Sequence, residues 1–146
     1  SNKLNLKFID IDEYIEREVG LKINDIFKKK GENFFREIEE KISIQSMKLD
    51  NKVIALGGGG FMNKKIRDEV LMKHISFWLN WNNFTLIKRL QKSKKRPVLK
   101  DLTTKDIKKI LFERSKIYSM ANYKINCENY SKNEIVKKIT NIYNEN

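Results

Sequence analysis

The residues with the most evident chemical use form a run of four glycines at positions 57–60, here called the glycine run. It directly follows an apolar stretch over 53–56, which predicts a buried strand. Adjacent residues without a Cβ lose much backbone entropy on folding, so such a run is useful where bare backbone must approach another group. In an open α/β sheet, ligands bind beyond the carboxyl ends of the strands. The glycine run therefore predicts a substrate cleft lined by main-chain amides, with a flexible turn as the alternative.

The glycine run is not a Walker A loop, the pattern G-x-x-x-x-G-K-[ST] that cradles nucleotide phosphates. Phe61 follows the last glycine, so no glycine directly precedes Lys64, and Lys65 stands where the motif has serine or threonine. The run therefore does not predict a phosphate-binding loop.

A second stretch, residues 7–12, is predicted to form a strand, and two aspartates lie at its carboxyl end. Alternation at period two would turn Asp10 and Asp12 to the same side if the strand persists. Asp12 is also placed to cap a helix over 13–19. Capping explains Asp12 without any catalytic role, but it leaves Asp10 unexplained.

The remaining elements alternate in type along the chain. Helices are predicted over 23–30, 32–47, 64–73, 83–90, 104–120 and 132–143, and strands over 76–81 and 123–127. Thr103 with Asp106 and Ser131 with Glu134 match the capping box, and Asn83 is placed to cap the helix that follows it. Strands alternating with helices predict a parallel sheet covered on both faces. We therefore expect one three-layer α/β domain over 1–146.

The composition narrows the classes of function. A net charge of +12 would favour binding to a polyanion such as nucleic acid. The lysines, however, are spread along nearly every helix and interleaved with acidic residues, which argues against a dedicated nucleic-acid surface. Arg36, for example, has Glu39 and Glu40 at helical pair spacing. No apolar run is long enough to span a bilayer and no signal peptide is visible, so a cytoplasmic protein is expected. A single cysteine, Cys127, excludes an intrachain disulfide framework.

Taken in order and spacing, several short motifs resemble the shikimate kinase family over essentially the whole chain. They are Phe8-Ile9-Asp10-Ile11-Asp12, Ile15-Glu16 with Gly20, Ile26-Phe27, Gly31-Glu32, Phe35-Arg36-Glu37-Ile38-Glu39, Gly57-Gly58-Gly59, Arg96-Pro97-Val98-Leu99, and Arg114 with Ile117-Tyr118. The resemblance implies a P-loop α/β fold similar to nucleoside monophosphate kinases. It implies transfer of the ATP γ-phosphate to the 3-hydroxyl of shikimate, in chorismate and aromatic amino acid biosynthesis.

The resemblance also implies roles for single residues. Asp12 would bind and orient the accepting hydroxyl, and a carboxylate there can take or steer the proton of that hydroxyl. Asp10 would reach Mg²⁺ through water. Arg36 and Arg114 would hold the carboxylate of shikimate, for which the planar guanidinium offers a matching fork. Gly58, between Gly57 and Gly59, would contact the substrate through its backbone.

Further positions complete the implied site. Arg96 would lie in a lid over about 91–102 and close on the phosphates, and Arg89 would pack against the adenine. Apolar walls of the substrate region, about 12–40, would come from Ile23, Phe27 and Phe35. The resemblance implies ATP and Mg²⁺ as cofactors, shikimate and ATP or ADP as ligands, no nucleic acid or membrane as partner, and a monomer.

Two departures from the family pattern stand out. The Walker A loop of the family does not occur in residues 1–146, and its strand, loop and helix would take about 25 residues. We expect this segment to precede Ser1 in the full protein, because the substrate residues are all present; the alternative is a relative that has lost nucleotide binding. Ser115, Lys116 and Ile117 stand where the family usually has proline and leucine, which affects the local turn more than Arg114.

Two other functions fit the same residues. A related P-loop kinase of another hydroxy or sugar acid, such as gluconate, would use the same pair of arginines. A basic, non-catalytic nucleic-acid-binding domain would instead show salt-sensitive binding to DNA or RNA and no response to shikimate.

Overall fold

The computed structural model describes residues 1–92 and 103–146. These residues form two units, Ser1–Met72 and Lys73–Asn146, each built on its own pair of parallel strands. Arg96 and most of the predicted lid lie outside the described residues.

In the first unit, a 3₁₀ turn precedes strand β1, and two helices separate β1 from β2. The elements are the turn Asn2–Leu4, β1 Lys7–Asp10, α1 Ile11–Val19, α2 Ile23–Met47, β2 Lys52–Ala55, a 3₁₀ turn Gly60–Met62 and α3 Lys64–Lys73. Strands β1 and β2 run parallel, with Ile9 opposite Ile54 and Asp10 opposite Ala55. Their carboxyl ends therefore meet at one edge, where α1 and the glycine run both begin.

Helices α1 and α2 bury their apolar faces against β1. The core of this unit consists of Ile9, Ile11, Ile15, Ile26, Phe35 and Ile42. Within α2, Gly31 has non-helical dihedrals, φ 82° and ψ 171°, which divide the helix at the predicted position. A positive φ is accessible to glycine because it lacks a Cβ.

The assignment of the first helix cap was wrong. Asp10 is the N-cap of α1, in extended conformation, and its Oδ1 accepts a hydrogen bond from the Glu13 amide at 3.2 Å. Strand β1 ends at Asp10, so Asp12 lies in the first turn of α1 instead of on the strand. Because the Asp10 carboxylate satisfies a helix N–H that has no internal partner, the helix begins two residues earlier than predicted.

The second unit repeats the pairing of parallel strands. It comprises β3 Phe77–Asn80, α4 Asn83–Lys92, α5 Thr104–Tyr118, β4 Tyr123–Asn126 and α6 Lys132–Asn144. Phe77 lies opposite Tyr123, and their rings stack with centroids 5.5 Å apart. Ile125, Cys127 and Ile135 form the buried core, with Trp81 packed against them. No helix in residues 1–92 and 103–146 has the length and apolar character needed to cross a membrane.

Two of the three helix caps predicted for this unit are present. Both predicted capping boxes are present, at Thr103 with Asp106 and at Ser131 with Glu134. The prediction of Asn83 as a cap was wrong by one residue, since Asn82 Oδ1 accepts from the Thr85 amide at 2.8 Å. Asn82 is also held by Glu128, whose Oε2 accepts from the Asn82 amide, a contact between distant residues that the local pattern could not contain.

Candidate active site

Charged side chains press directly on the bare backbone of the glycine run. A Cβ at Gly57 would lie 2.7 Å from Asp12 Oδ1 and 3.3 Å from Glu39 Oε1. A Cβ at Gly59 would overlap the guanidinium of Arg36, whose Cζ would be only 2.9 Å away. Neither glycine has a positive φ, so the backbone conformation does not require glycine here. Glycine is required here because the charged groups occupy the space that a Cβ would take. Asp12 and Arg36 therefore lie beside the same stretch of main chain.

Arg36 is held between two carboxylates of its own helix. Its Nη1 donates to Glu39 Oε2 at 2.7 Å, while Nε and Nη2 donate to Glu32 Oε1 at 3.2 and 3.1 Å. The pair with Glu39 was expected from the spacing, whereas the pair with Glu32 was not. Burial by itself lowers the pKa of Arg36, but the hydrogen bonds and charges of Glu39 and Glu32 outweigh it and raise that pKa above its usual value. Arg36 is therefore a fixed positive charge beside the glycine run.

Glu39 is a site residue that the sequence pattern did not single out. Its side chain is only 2% exposed, and it faces Arg36 on one side and the glycine run on the other. Phe35, Glu39, Ile42 and Ser46 recur at steps of four, three and four along α2, and all are buried. The sequence signal that could have identified Glu39 is its position in this inward-facing stripe, because a buried carboxylate needs a partner.

The exit of the glycine run is fixed by contacts to α2 and α3. Asn63 caps α3, with its Oδ1 accepting from the Ile66 amide, and its Nδ2 donates to Glu40 Oε2 at 2.8 Å. Lys65 Nζ pairs with the other oxygen of Glu40, and these bonds lower the pKa of Glu40. Arg67 donates to the carbonyl oxygens of Phe61 and Met62. The glycine run is thus tied at its end to the helix that carries Arg36.

The predicted apolar walls lie in the core of the same unit. Phe27 and Phe35 pack with ring centroids 4.7 Å apart, and Phe35 is 4% exposed. Ile23 and Phe27 are partly buried against that core. These side chains support α2 around the break at Gly31.

The other predicted site residues lie in the second unit or outside the described residues. Arg89 on α4 stacks over the ring of Trp81, with Cζ 3.8 Å from the ring centroid. Arg114 is half-buried on α5, and no ion pair to it is found in residues 1–92 and 103–146. Arg96 is not described.

The packing around Gly59 gives a prediction that does not depend on any ligand. Gly59→Ala should lower the free energy of unfolding by about 1–2 kcal/mol, because its Cβ displaces Arg36 and breaks charge-assisted hydrogen bonds. Gly60→Ala is the matched control, since a Cβ at Gly60 meets its nearest neighbours at 3.5 to 3.7 Å, ordinary contact distances. Urea denaturation of both variants measures the difference. Equal stability of the two would contradict the close approach of Arg36.

Comparison with known proteins defines the class of fold. A shikimate kinase from Acinetobacter baumannii, solved in complex with shikimate, matches with a TM-score of 0.91 and 26% identity, covering 99% of this chain and 82% of that one. The crystal structure of shikimate kinase from Aquifex aeolicus matches with a TM-score of 0.85 and 34% identity, covering 96% of this chain and 82% of that one. The chain therefore has the α/β/α fold of nucleoside-monophosphate-kinase-like P-loop proteins, as predicted.

Sequence relatives identify the family within that class. The family model for shikimate kinase matches residues 1–144. The shikimate kinase of Sulfurihydrogenibium sp. (strain YO3AOP1) is 38% identical over 141 residues, which span 95% of this chain and 83% of that relative. This chain belongs to the shikimate kinase family, a family of ATP-dependent phosphotransferases.

Proposed function

We propose that this protein transfers the γ-phosphate of ATP to the 3-hydroxyl of shikimate. The observation that supports it best is the packing of Asp12 and Arg36 against bare backbone, in a chain that belongs to this family. Phosphoryl transfer requires the protein mainly to position the reactants and to neutralise charge. Asp12, the cation Arg36 and main-chain groups without a Cβ lie at one place and meet these needs for a small hydroxy acid.

In the proposed complex, Asp12 orients the accepting hydroxyl and steers its proton away as the phosphoryl group arrives. At Gly57 and Gly59 the missing Cβ makes room for Asp12 and Arg36. Gly58, between them, is proposed to contact the substrate through its backbone, which no Cβ shields. Arg36 binds the carboxylate of the substrate through its planar fork. Arg114 is proposed as the second arginine for that carboxylate, on the basis of its place in the sequence motif.

The nucleotide side of the proposal rests on fewer structural observations. Among residues 1–92 and 103–146, no group of three His, Cys, Asp or Glu side chains could hold a metal. Mg²⁺ is usually bound by one or two carboxylates together with substrate phosphates and waters, so a single aspartate can take part in its site. Asp10 has one oxygen engaged in the helix cap, and we propose that the other reaches Mg²⁺ through water. When bound, the ion would neutralise phosphate charge.

Arg89 and Arg96 are proposed to complete the nucleotide side. Arg89 would present its guanidinium to the adenine, and Arg96 would close over the phosphates with the lid at about 91–102. A basic group that closes late supplies charge where the transferring group develops it, and it excludes water.

We further propose that both units belong to one shikimate kinase domain, since the family match runs through 1–144. A cytoplasmic monomer without a nucleic-acid or membrane partner is proposed with it.

Substrate choice is the direct test of the proposed function. In a coupled ADP-release assay on the full-length protein, shikimate should support turnover, while quinate and gluconate should not. Activity with gluconate alone would assign the chain to another hydroxy-acid kinase. Salt-sensitive binding to DNA, with no change in melting temperature on adding shikimate, would favour the nucleic-acid-binding alternative.

A further inference from the structure

Arg36 already binds a carboxylate, that of Glu32, on the edge of the guanidinium that Glu39 leaves free. Nε and Nη2 both donate to Glu32 Oε1, at 3.2 and 3.1 Å. These two groups form one of the forks with which guanidinium binds a carboxylate. Glu32 therefore occupies the kind of position that an acidic substrate needs.

The two carboxylates that bind Arg36 differ sharply in exposure. The side chain of Glu39 is 2% exposed and that of Glu32 is 53% exposed. Moving Glu39 off Arg36 would strip a buried charge of a cation, which is costly. Glu32 can rotate into water at little cost, because exposed ion pairs contribute little free energy.

The charges around Arg36 give a reason for one of its two carboxylate partners, Glu32 or Glu39, to leave when a ligand carboxylate binds. Glu32 and Glu39 together already exceed the single positive charge of Arg36. A third carboxylate, brought by a ligand, would enter a region of net negative charge at Arg36. Release of Glu32 leaves two carboxylates on Arg36, the same number as before the ligand arrives, and frees the Nε and Nη2 fork at the same moment.

We propose that Glu32 is an internal placeholder for the substrate carboxylate, and that the substrate acid replaces it on Arg36 while Glu39 stays bound. This inference rests on the proposed function, which makes Arg36 a carboxylate ligand. The exchange involves no proton transfer and keeps the number of charge-assisted bonds to Arg36 constant. Before the substrate binds, Glu32 holds Arg36 extended against Gly59, at the price of competing with the substrate.

The test is titration calorimetry of shikimate into the full-length wild type, Glu32→Gln and Glu37→Gln. Glu32→Gln should bind shikimate about three- to fivefold more tightly, because the competing ion pair is lost. Glu37→Gln is the matched control, since Glu37 is an exposed residue of the same helix and the same charge is removed. It should leave the affinity unchanged. The methyl ester of shikimate, which has no carboxylate, should bind both variants as it binds wild type.

The comparison with Glu37→Gln separates contact exchange from a general field effect. At about 1 M salt the Debye length is about 3 Å, and the exposed Glu32–Arg36 pair is itself weakened, so the gain of Glu32→Gln should shrink there. A gain at low salt that is shared by Glu37→Gln would overturn the proposal. Unchanged or weaker binding of shikimate by Glu32→Gln would also overturn the proposal. If the wild type binds shikimate in that experiment, the proposed function is unaffected. A wild type that binds no shikimate would contradict the proposed function, and the exchange with it.

Discussion

Asp12→Asn should lower kcat with shikimate by about a thousandfold, while leaving the fold intact. Asp12 Oδ1 lies against Gly57 in the first turn of α1, where an amide of the same shape can be accommodated. The amide cannot accept the hydroxyl proton, and removal of a general base typically costs about 10²- to 10⁴-fold in rate. Steady-state kinetics of the full-length enzyme, with circular dichroism as a check of the fold, measure the effect.

Glu13→Gln is the matched control for Asp12→Asn. Glu13 is an exposed neighbour in the same first turn, so both variants lose a favourable negative charge at a helix N-terminus. Any loss of turnover that comes from removing this negative charge at the helix N-terminus should therefore be equal in the two variants. If Glu13→Gln and Asp12→Asn turn over shikimate at the same rate, Asp12 has no catalytic role.

Arg36→Ala should weaken shikimate binding by about 2–3 kcal/mol, the loss expected for charge-assisted hydrogen bonds. It should also lower the melting temperature, because Glu39 is 2% exposed and loses a cation at 2.7 Å. Arg36→Lys should fall between wild type and Arg36→Ala, since lysine keeps the charge near Glu39 but lacks the planar fork. Titration calorimetry with shikimate, run beside thermal unfolding, separates the two effects.

Arg17→Ala provides the comparison for this series. Arg17 lies at the end of α1 with its guanidinium over the ring of Tyr14, and no contact of Arg17 with the glycine run is found in the described residues. Its removal subtracts the same charge from the same unit. A dissociation constant for shikimate that is unchanged in Arg36→Ala, or equally raised in Arg17→Ala, would refute the assignment of Arg36.

Local signals in the sequence predicted much of the fold correctly. The break at Gly31 and the two capping boxes depend on residues within four positions of one another, so a short pattern contains the whole interaction. The choice between Asp10 and Asp12 as helix cap was different. Both residues suit a cap, and the choice depends on where β1 stops pairing with β2, at Asp10 opposite Ala55. That pairing joins residues 45 positions apart, beyond any local pattern.

The sequence by itself determined the class of protein, because glycines after a strand, paired aspartates and motif arginines occur in one recognisable order. It also indicated why glycines are needed, since bare backbone serves close approach. Only the tertiary structure decided which groups make that approach: Asp12 and Glu39 at Gly57, and Arg36 at Gly59. Helix α2 brings Glu39 and Arg36 to the glycine run by packing its buried stripe against the core, and packing of this kind is set by contacts between distant residues.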